Sequence, residues 1–215
     1  MRCTVSVPDT ALISHALSAG AEIIEVRLDL CGQIPEQHAK EVFSDIPVPL
    51  IFTLRSAGEG GLFQGGPGEW WEILQPYLSY ATFIDVEERF ASFAPRLKEI
   101  GKTVISSYHT PSMPDPPALA VREERLRSFG DIPKIVVGPR SEDDVLALLS
   151  FTRQARKPVI TSTMGTGFRY ARLLLPLFGS YLIFCHCGTA ASPGQYHVRE
   201  WKEFCRLVRD PRQPG

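Results

Sequence analysis

The sequence predicts a parallel α/β fold and favours a closed (β/α)8 TIM barrel. Eight short runs rich in β-branched and aromatic residues alternate with eight helix-period segments, a pattern typical of parallel strands covered by helices. Eight units in 215 residues average about 27 residues each, close to the lower size limit of such barrels. No G-x-G-x-x-G turn follows the first run, which disfavours the alternative, a doubly wound open sheet.

The predicted elements alternate strictly along the chain, and turn-forming residues bound the strands. The predicted strands are residues 3–7, 22–29, 49–55, 82–87, 103–109, 133–138, 158–164 and 181–187. The predicted helices are residues 10–19, 35–43, 69–78, a segment ending near Ile100, 119–129, a segment capped by Ser141 and ending near Ala155, 168–177 and 197–208. No linker or repeat marks a second domain, so we expect one barrel domain over residues 1–210 and a flexible tail over residues 211–215.

Composition and charge narrow the class of protein. The chain is 44% hydrophobic and 22% charged with a formal net charge of −1, which is ordinary for a globular protein and argues against a general affinity for nucleic acid or anionic membranes. No apolar run approaches the length of a membrane span. The first strand begins almost at once and leaves no room for a signal peptide, so we expect a cytoplasmic protein.

The five cysteines predict neither a disulfide scaffold nor a metal site. Their number is odd, and the chain is long enough to form a true core. Cys185-His186-Cys187 lies on a predicted strand, where the two thiols face one way and the imidazole the other. No second pair is spaced to complete a tetrahedron, so we expect buried thiols and no metal.

Polar side chains are concentrated at the predicted strand ends, where a barrel of this kind builds its functional site. Glu25 and Arg27 share one face of the second strand because strand side chains alternate with a period of two. Each residue alone has an ordinary structural explanation, such as a salt bridge inside the barrel or a hydrogen-bonded core histidine. The set as a whole, a lysine, a histidine, three arginines and carboxylates at one rim, is explained poorly in that way. Its members are Glu25, Arg27, Arg55, Glu59, Asp85, Glu87, His109, Lys134 and Arg172.

Lys134 is the most unusual of these residues, because it interrupts the β-branched run Ile132–Val137. An apolar wall and nearby arginines disfavour the ammonium form, so the lysine either extends to solvent or serves as an amine nucleophile. An amine that attacks a ketone forms an imine, and His109 could then remove the adjacent proton. Arginines fix carboxylates. The set predicts a small, anionic, hydroxylated keto acid as substrate, with a phosphate possible at Gly165-Thr166-Gly167.

Taken together, the motifs resemble type I 3-dehydroquinase in order and spacing over almost the whole chain. They are Glu25-Val26-Arg27, Phe52-Thr53-Leu54-Arg55-Ser56, Tyr108-His109, Ile132-Pro133-Lys134, Met164-Gly165 and Ser192-Pro193-Gly194-Gln195. The resemblance implies a (β/α)8 barrel that dehydrates 3-dehydroquinate to 3-dehydroshikimate through a lysine Schiff base, a hydro-lyase step of the shikimate pathway. It also implies no metal, no nucleotide cofactor and a homodimer.

The resemblance assigns a role to each matching residue. Lys134 corresponds to the imine-forming lysine, His109 to the general acid and base, and Glu59 to the glutamate that orients this histidine. The other matching residues would bind the substrate. Glu25, Arg27 and Arg55 would bind the ring hydroxyls, and Arg172 would bind the carboxylate. Gln195 and Ser192 would contact the substrate from the lid loop, and Phe184 and Met164 would form walls of the site.

Three departures from the family pattern carry expectations of their own. The lid serine is replaced by Ala191, with Ser192 next to it, and a second methionine of the family is replaced by Ser162. The chain begins at its first strand without an N-terminal hairpin, so we expect a minimal barrel whose bottom is closed by side chains alone. His186 shares strand parity with Phe184, so we expect it to point inward, as a core histidine or as a group that tunes the Lys134 region.

Two alternatives remain open at this point. One is another lysine–imine barrel, such as a class I aldolase, which would use Arg172 and the Gly165 region for a sugar phosphate. The other is a non-catalytic barrel that binds a shikimate-type acid. The altered lid supports the second alternative, and the presence of both Lys134 and His109 argues against it.

Overall fold

The protein folds as a barrel of eight parallel strands that run in chain order around its axis. The computed structural model describes residues 2–208, and the predicted tail lies outside these residues. Strands β1 to β7 each pair in parallel with the next strand in the chain, and β1 also pairs with β8; β7 and β8 share no ladder. The strands are β1 Arg2–Val7, β2 Ile23–Arg27, β3 Leu50–Thr53, β4 Phe83–Glu87, β5 Thr103–Thr110, β6 Ile132–Val137, β7 Ile160–Thr163 and β8 Leu182–Cys185. The predicted TIM barrel is confirmed.

Helices follow the strands and cover the outside of the barrel. They are α1 Ile13–Ser18, α2 Leu28–Cys31, α3 Glu36–Phe43, α4 Pro67–Leu74, α5 Ala94–Glu99, α6 Pro116–Arg127, α7 Glu142–Gln154, α8 Ala171–Leu174 and α9 Val198–Val208. Ser141 caps α7 as predicted, accepting a hydrogen bond from the Asp144 main-chain N–H. Asp115 caps α6 in the same way, so that helix begins three residues before the predicted start.

Two predicted elements are shorter in the structure than their local patterns indicated. β2 ends at Arg27 because the next four residues form α2, in which Asp29 binds back to the Arg27 guanidinium. The predicted helix over 168–177 is α-helical only in α8 and continues as a 3-10 turn through Phe178. Gly179, with φ of 102°, ends that turn.

An apolar layer fills the barrel interior below the strand ends that carry the polar residues. Strands β2 to β8 each contribute to it, and Ile23, Ile51, Phe83, Ile105, Ile132, Ile160, Leu182 and Phe184 are its buried members. Side chains from the described strands therefore close the bottom of the barrel, as predicted. Outside the strands, larger apolar clusters join them to the helices; for example, the Trp70 and Phe90 rings stack with centroids 4.8 Å apart.

The junction between β7 and β8 is closed by side-chain hydrogen bonds in place of a regular ladder. The Tyr181 main-chain N–H donates to the Val159 carbonyl at 2.8 Å. The buried hydroxyl of Ser180 accepts from the Thr161 N–H at 3.0 Å and lies 3.2 Å from the carbonyl oxygens of Thr161 and Leu182. Ser180 thus satisfies main-chain groups that a ladder would otherwise pair. No helix between residues 2 and 208 has the length and apolar character needed to cross a membrane.

We expect the Ser180→Ala substitution to lower the free energy of unfolding by about 1–3 kcal/mol, because it leaves the buried Thr161 N–H without an acceptor. Urea denaturation followed by circular dichroism measures this change. Ser14→Ala, on the exposed face of α1, is the matched control and should change stability by less than about 0.5 kcal/mol. Equal effects of the two substitutions would contradict this account of the β7–β8 junction.

Candidate active site

One cavity opens at the carboxyl ends of the strands, and all the site residues predicted from the sequence line it. They are Glu25, Arg27, Arg55, Glu59, His109, Lys134, Met164, Arg172, Phe184, Ser192 and Gln195. Ser162 also lines the cavity, so the wall is more polar where the family pattern has methionine. Ser192 lines it as well, as the lid residue next to Ala191.

Lys134 is buried on β6 and extends into the cavity. Its Nζ lies 2.9 Å from Asp85 Oδ2 and 3.6 Å from Glu25 Oε1, and 4.1 Å from the centroid of the Phe184 ring. The prediction of an apolar wall around this amine is correct on the Phe184 side and wrong on the other side. Strand alternation on β6 could not indicate these carboxylates, because they come from β2 and β4 across the barrel interior.

Arg55 organises the charges beneath the cavity. Its guanidinium donates to Asp85 Oδ1 at 2.8 Å and to Glu87 Oε1 and Ser107 Oγ, both at 2.9 Å. Burial disfavours charged forms, but the surrounding carboxylates outweigh it and raise the pKa of Arg55. Burial likewise opposes ionisation of Asp85, but Arg55 and Lys134 outweigh it and hold the Asp85 pKa below its usual range.

Asp85 and Glu87 were predicted as polar residues at the end of a strand, without a role of their own. Both now prove central to the charge network, with Glu87 also accepting the main-chain N–H of Ser56 at 2.8 Å. Their equal parity on β4 was the available signal, because it places both carboxylates on the inner face. Ser107, on the neighbouring strand β5, was also given no role; its hydroxyl donates to Asp85 Oδ1 at 2.5 Å.

His109 and Glu59 form a hydrogen-bonded pair at the cavity wall. Glu59 Oε2 lies 2.8 Å from His109 Nδ1 and accepts the His109 main-chain N–H at 3.1 Å, which leaves Nε2 as the free ring nitrogen. Burial, with the nearby Arg55 and Lys134 cations, lowers the pKa of His109 well below its usual range. Burial raises the pKa of Glu59 to about 8, although Arg55 opposes this shift. The imidazole is therefore uncharged at neutral pH.

Three cavity residues hold the loop that covers the site, which we call the lid and define as residues 188–196. Arg27 NH1 donates to the Ala191 carbonyl at 3.3 Å, and Arg172 NH2 donates to the Pro193 carbonyl at 3.1 Å. Gln195 Nε2 donates to Ser6 Oγ at 3.2 Å. Arg172 lines the cavity, is only 6% exposed, and has no partner for its Nε. Burial lowers the pKa of Arg172 to about 10.

His186 was expected to point into the barrel, and it is not among the described residues that line the cavity. β8 ends at Cys185, and His186 lies beyond it with its ring against that of His197, at a centroid separation of 5.2 Å. Its main chain accepts from Val198 N and donates to Tyr196 O, each at 2.9 Å, so it anchors the base of the lid. Burial lowers the pKa of His186, with His197 acting in the same direction.

Cysteines and acidic residues form no metal centre in the described part of the chain. No disulfide joins the cysteines within residues 2–208, and Cys3, Cys185 and Cys187 are buried. Within residues 2–208, no three or more His, Cys, Asp or Glu side chains are arranged to hold a metal ion.

A parallel eight-stranded barrel with lysine, histidine and arginine side chains around one cavity at its carboxyl end defines an enzyme of the (β/α)8 class. The family model for type I 3-dehydroquinase matches residues 7–210. The chain belongs to the type I 3-dehydroquinase family, whose members are hydro-lyases. It is 42% identical over 208 residues to the 3-dehydroquinate dehydratase of Methanoregula boonei, an alignment that covers 97% of this chain and all of the relative.

Solved structures agree with this assignment. The 3-dehydroquinate dehydratase of Aquifex aeolicus superposes with a TM-score of 0.85 at 28% identity, covering 99% of this chain and all of that one. The type I enzyme of Clostridium difficile, solved with covalently modified comenic acid, gives a TM-score of 0.84 at 26% identity and covers 96% of this chain and 91% of that one.

We expect Arg55→Ala to lower the free energy of unfolding by about 3–5 kcal/mol, because it leaves the buried carboxylates of Asp85 and Glu87 without their cation. Denaturant titration at pH 7 measures the loss. Arg153→Ala, on the exposed face of α7, is the control and should be nearly neutral. A loss below about 1 kcal/mol for Arg55→Ala would contradict the role given to this network.

Proposed function

We propose that this protein is a 3-dehydroquinate dehydratase that converts 3-dehydroquinate to 3-dehydroshikimate through a Schiff base on Lys134, the third step of chorismate biosynthesis. One observation carries the proposal: the Lys134 amine, the His109 imidazole and the buried Arg172 guanidinium line the same cavity. One substrate can therefore present its ketone carbon to Lys134, its acidic C–H to His109 and its carboxylate to Arg172 at the same time.

In the first stage, Lys134 Nζ attacks the C3 carbonyl carbon and forms a C–N bond, and the carbonyl oxygen takes up a proton. His109 transfers the protons, and the carbinolamine loses water to give a cationic imine. Asp85, 2.9 Å from Nζ, remains ionised because its pKa is lowered, so its carboxylate stabilises that cation. The type I enzyme of Clostridium difficile was solved with covalently modified comenic acid, which supports the proposal of a covalent mechanism.

In the second stage, Nε2 of His109 removes a proton from C2, and the electron pair moves into the imine to give an enamine. The enamine expels the C1 hydroxyl group, which leaves as water with the proton that His109 returns. Water then cleaves the conjugated imine and frees the lysine. Glu59 orients the imidazole through Nδ1, which keeps Nε2 toward the substrate.

An anionic substrate would be bound by hydrogen-bond donors that contact the lid in this structure. We propose that Arg172 binds the carboxylate, since its buried Nε lacks a partner and its NH2 now donates only to the Pro193 carbonyl. The remaining cavity residues are proposed to contact the rest of the substrate. Glu25, Arg27 and Arg55 would bind the ring hydroxyls, Ser192 and Gln195 would bind the substrate from the lid, and Met164 and Phe184 would form the walls. A homodimer and a cytoplasmic location are also proposed; gel filtration and cell fractionation test them.

We expect Lys134→Ala to be inactive and to gain no mass when 3-dehydroquinate and borohydride are added, because it removes the nucleophilic amine. His109→Ala should still trap some imine while turnover falls about 10²- to 10⁴-fold, because only proton transfer is lost. Intact-mass analysis with peptide mapping locates the adduct. Lys40→Ala, exposed on α3, is the control and should behave as wild type.

Near-normal turnover by Lys134→Ala would contradict the mechanism. The same samples separate the alternatives. A class I aldolase would cleave a phosphosugar and leave 3-dehydroquinate intact, whereas a binding module would produce no rise in the enone absorbance with wild-type protein.

We expect kcat/KM to remain on its plateau at pH 6.5 and to fall only at lower pH. His109 must be unprotonated to act as a base, and its lowered pKa moves protonation below the ordinary histidine value of about 6.5. A pH–rate profile from pH 4.5 to 9 measures the acid limb. An acid limb centred at or above about pH 6.5 would contradict this assignment.

A further inference from the structure

The lid is held over the cavity by two kinds of contact. The first kind uses Arg27, Arg172 and Gln195, which line the cavity and which the proposed function assigns to substrate. A bound carboxylate would compete with the Pro193 carbonyl for Arg172. These side chains can therefore bind either the lid or the substrate, so their contacts with the lid should weaken when substrate binds.

The second kind of contact is made by Arg169, which lies outside the set of described residues that line the cavity. Its guanidinium carbon lies 3.9 Å from the centroid of the Tyr196 ring, at the carboxyl end of the lid. Its NH2 is 3.7 Å from Glu200 Oε2, the oxygen that also accepts the His197 main-chain N–H at 2.7 Å. A substrate in the cavity would not compete for this stacked cation.

The loop that carries Arg169 meets the lid at the level of the backbone as well. Gly194 has φ of 81°, and a Cβ atom there would lie 2.2 Å from the Gly165 carbonyl oxygen. The loop after β7 and the lid therefore pack without intervening side chains at Gly194. Arg169 stacks on Tyr196 two residues further on, which makes this junction the point where the lid joins the body of the barrel.

We propose that Arg169 is a positioning residue for the reaction: its stacking on Tyr196 sets how firmly the lid closes over bound substrate. The inference rests on the proposed function, because it needs a substrate whose release depends on the lid. It concerns residues that do not touch the reacting atoms, so the chemical step itself should be unaffected.

Steady-state kinetics of the full chain with 3-dehydroquinate test the inference. We expect Arg169→Ala to raise KM about two- to fivefold, the value of a partly exposed cation–π contact, and to leave kcat within about twofold of wild type. Tyr196→Leu should have the same effect. Arg169→Lys and Tyr196→Phe each keep a cation over a ring and should restore KM to near the wild-type value.

A double-mutant cycle isolates the contact itself. The Arg169→Ala/Tyr196→Leu variant should raise KM no more than either single substitution, because both remove the same interaction. Arg199→Ala, an exposed arginine on α9, is the control and should leave KM unchanged. Urea unfolding midpoints identify any variant that fails to fold. In that case KM is compared between wild type and the conservative variants Arg169→Lys and Tyr196→Phe.

Two failures are distinguishable. If wild-type protein turns over 3-dehydroquinate but Arg169→Ala leaves KM unchanged, lowers kcat alone, or adds fully to Tyr196→Leu, the role of Arg169 is wrong and the proposed function stands. If wild-type protein neither turns over 3-dehydroquinate nor traps it with borohydride, the proposed function is wrong, and this inference with it.

Discussion

The structure depends on the balance of buried charge above the apolar layer of the barrel. Arg55 and Lys134 face Asp85, Glu87 and Glu25 with almost no access to water. Isolated charges in such a place would cost several kcal/mol each, so the cations and carboxylates must be paired and hydrogen-bonded together. Arginine suits position 55 because its planar fork reaches Asp85 and Glu87 at once, which a lysine ammonium could not match.

This charge balance also explains the different states of the groups above it. Asp85 lies between Arg55 and Lys134 and stays ionised, whereas burial raises the pKa of Glu59 even though Arg55, 3.4 Å away, opposes the shift. Burial, together with Arg55 and Lys134, keeps the His109 imidazole neutral. Neighbouring residues of one chemical type thus acquire different protonation states, which proton-transfer chemistry requires.

The apolar residues that stabilise the barrel and the polar residues of the site lie at different levels along the barrel axis. The lower interior is filled by isoleucine, leucine and phenylalanine side chains from seven strands, and the polar network begins only above this layer. The lid then closes the upper end through donors that belong to the cavity. The Ala191 and Pro193 carbonyls accept hydrogen bonds from Arg27 and Arg172, so both guanidinium groups have partners beneath the lid.

Local sequence patterns were sufficient for the barrel, for the faces of its strands and for the polar strand ends, because alternation and strand ends follow from the period of two and from the parallel arrangement. Met164, Ser192 and Gln195 were assigned to the site only by the resemblance to the family. The roles of Asp85 and Ser107 were not predictable in this way, since their partners lie on other strands and depend on register across the interior. The contact of the His186 ring with His197 was likewise not predictable, because His197 lies beyond the lid. The sequence by itself determined which side chains face inward; only the tertiary structure decided which of them meet, because distances between strands set the pairing of buried charges.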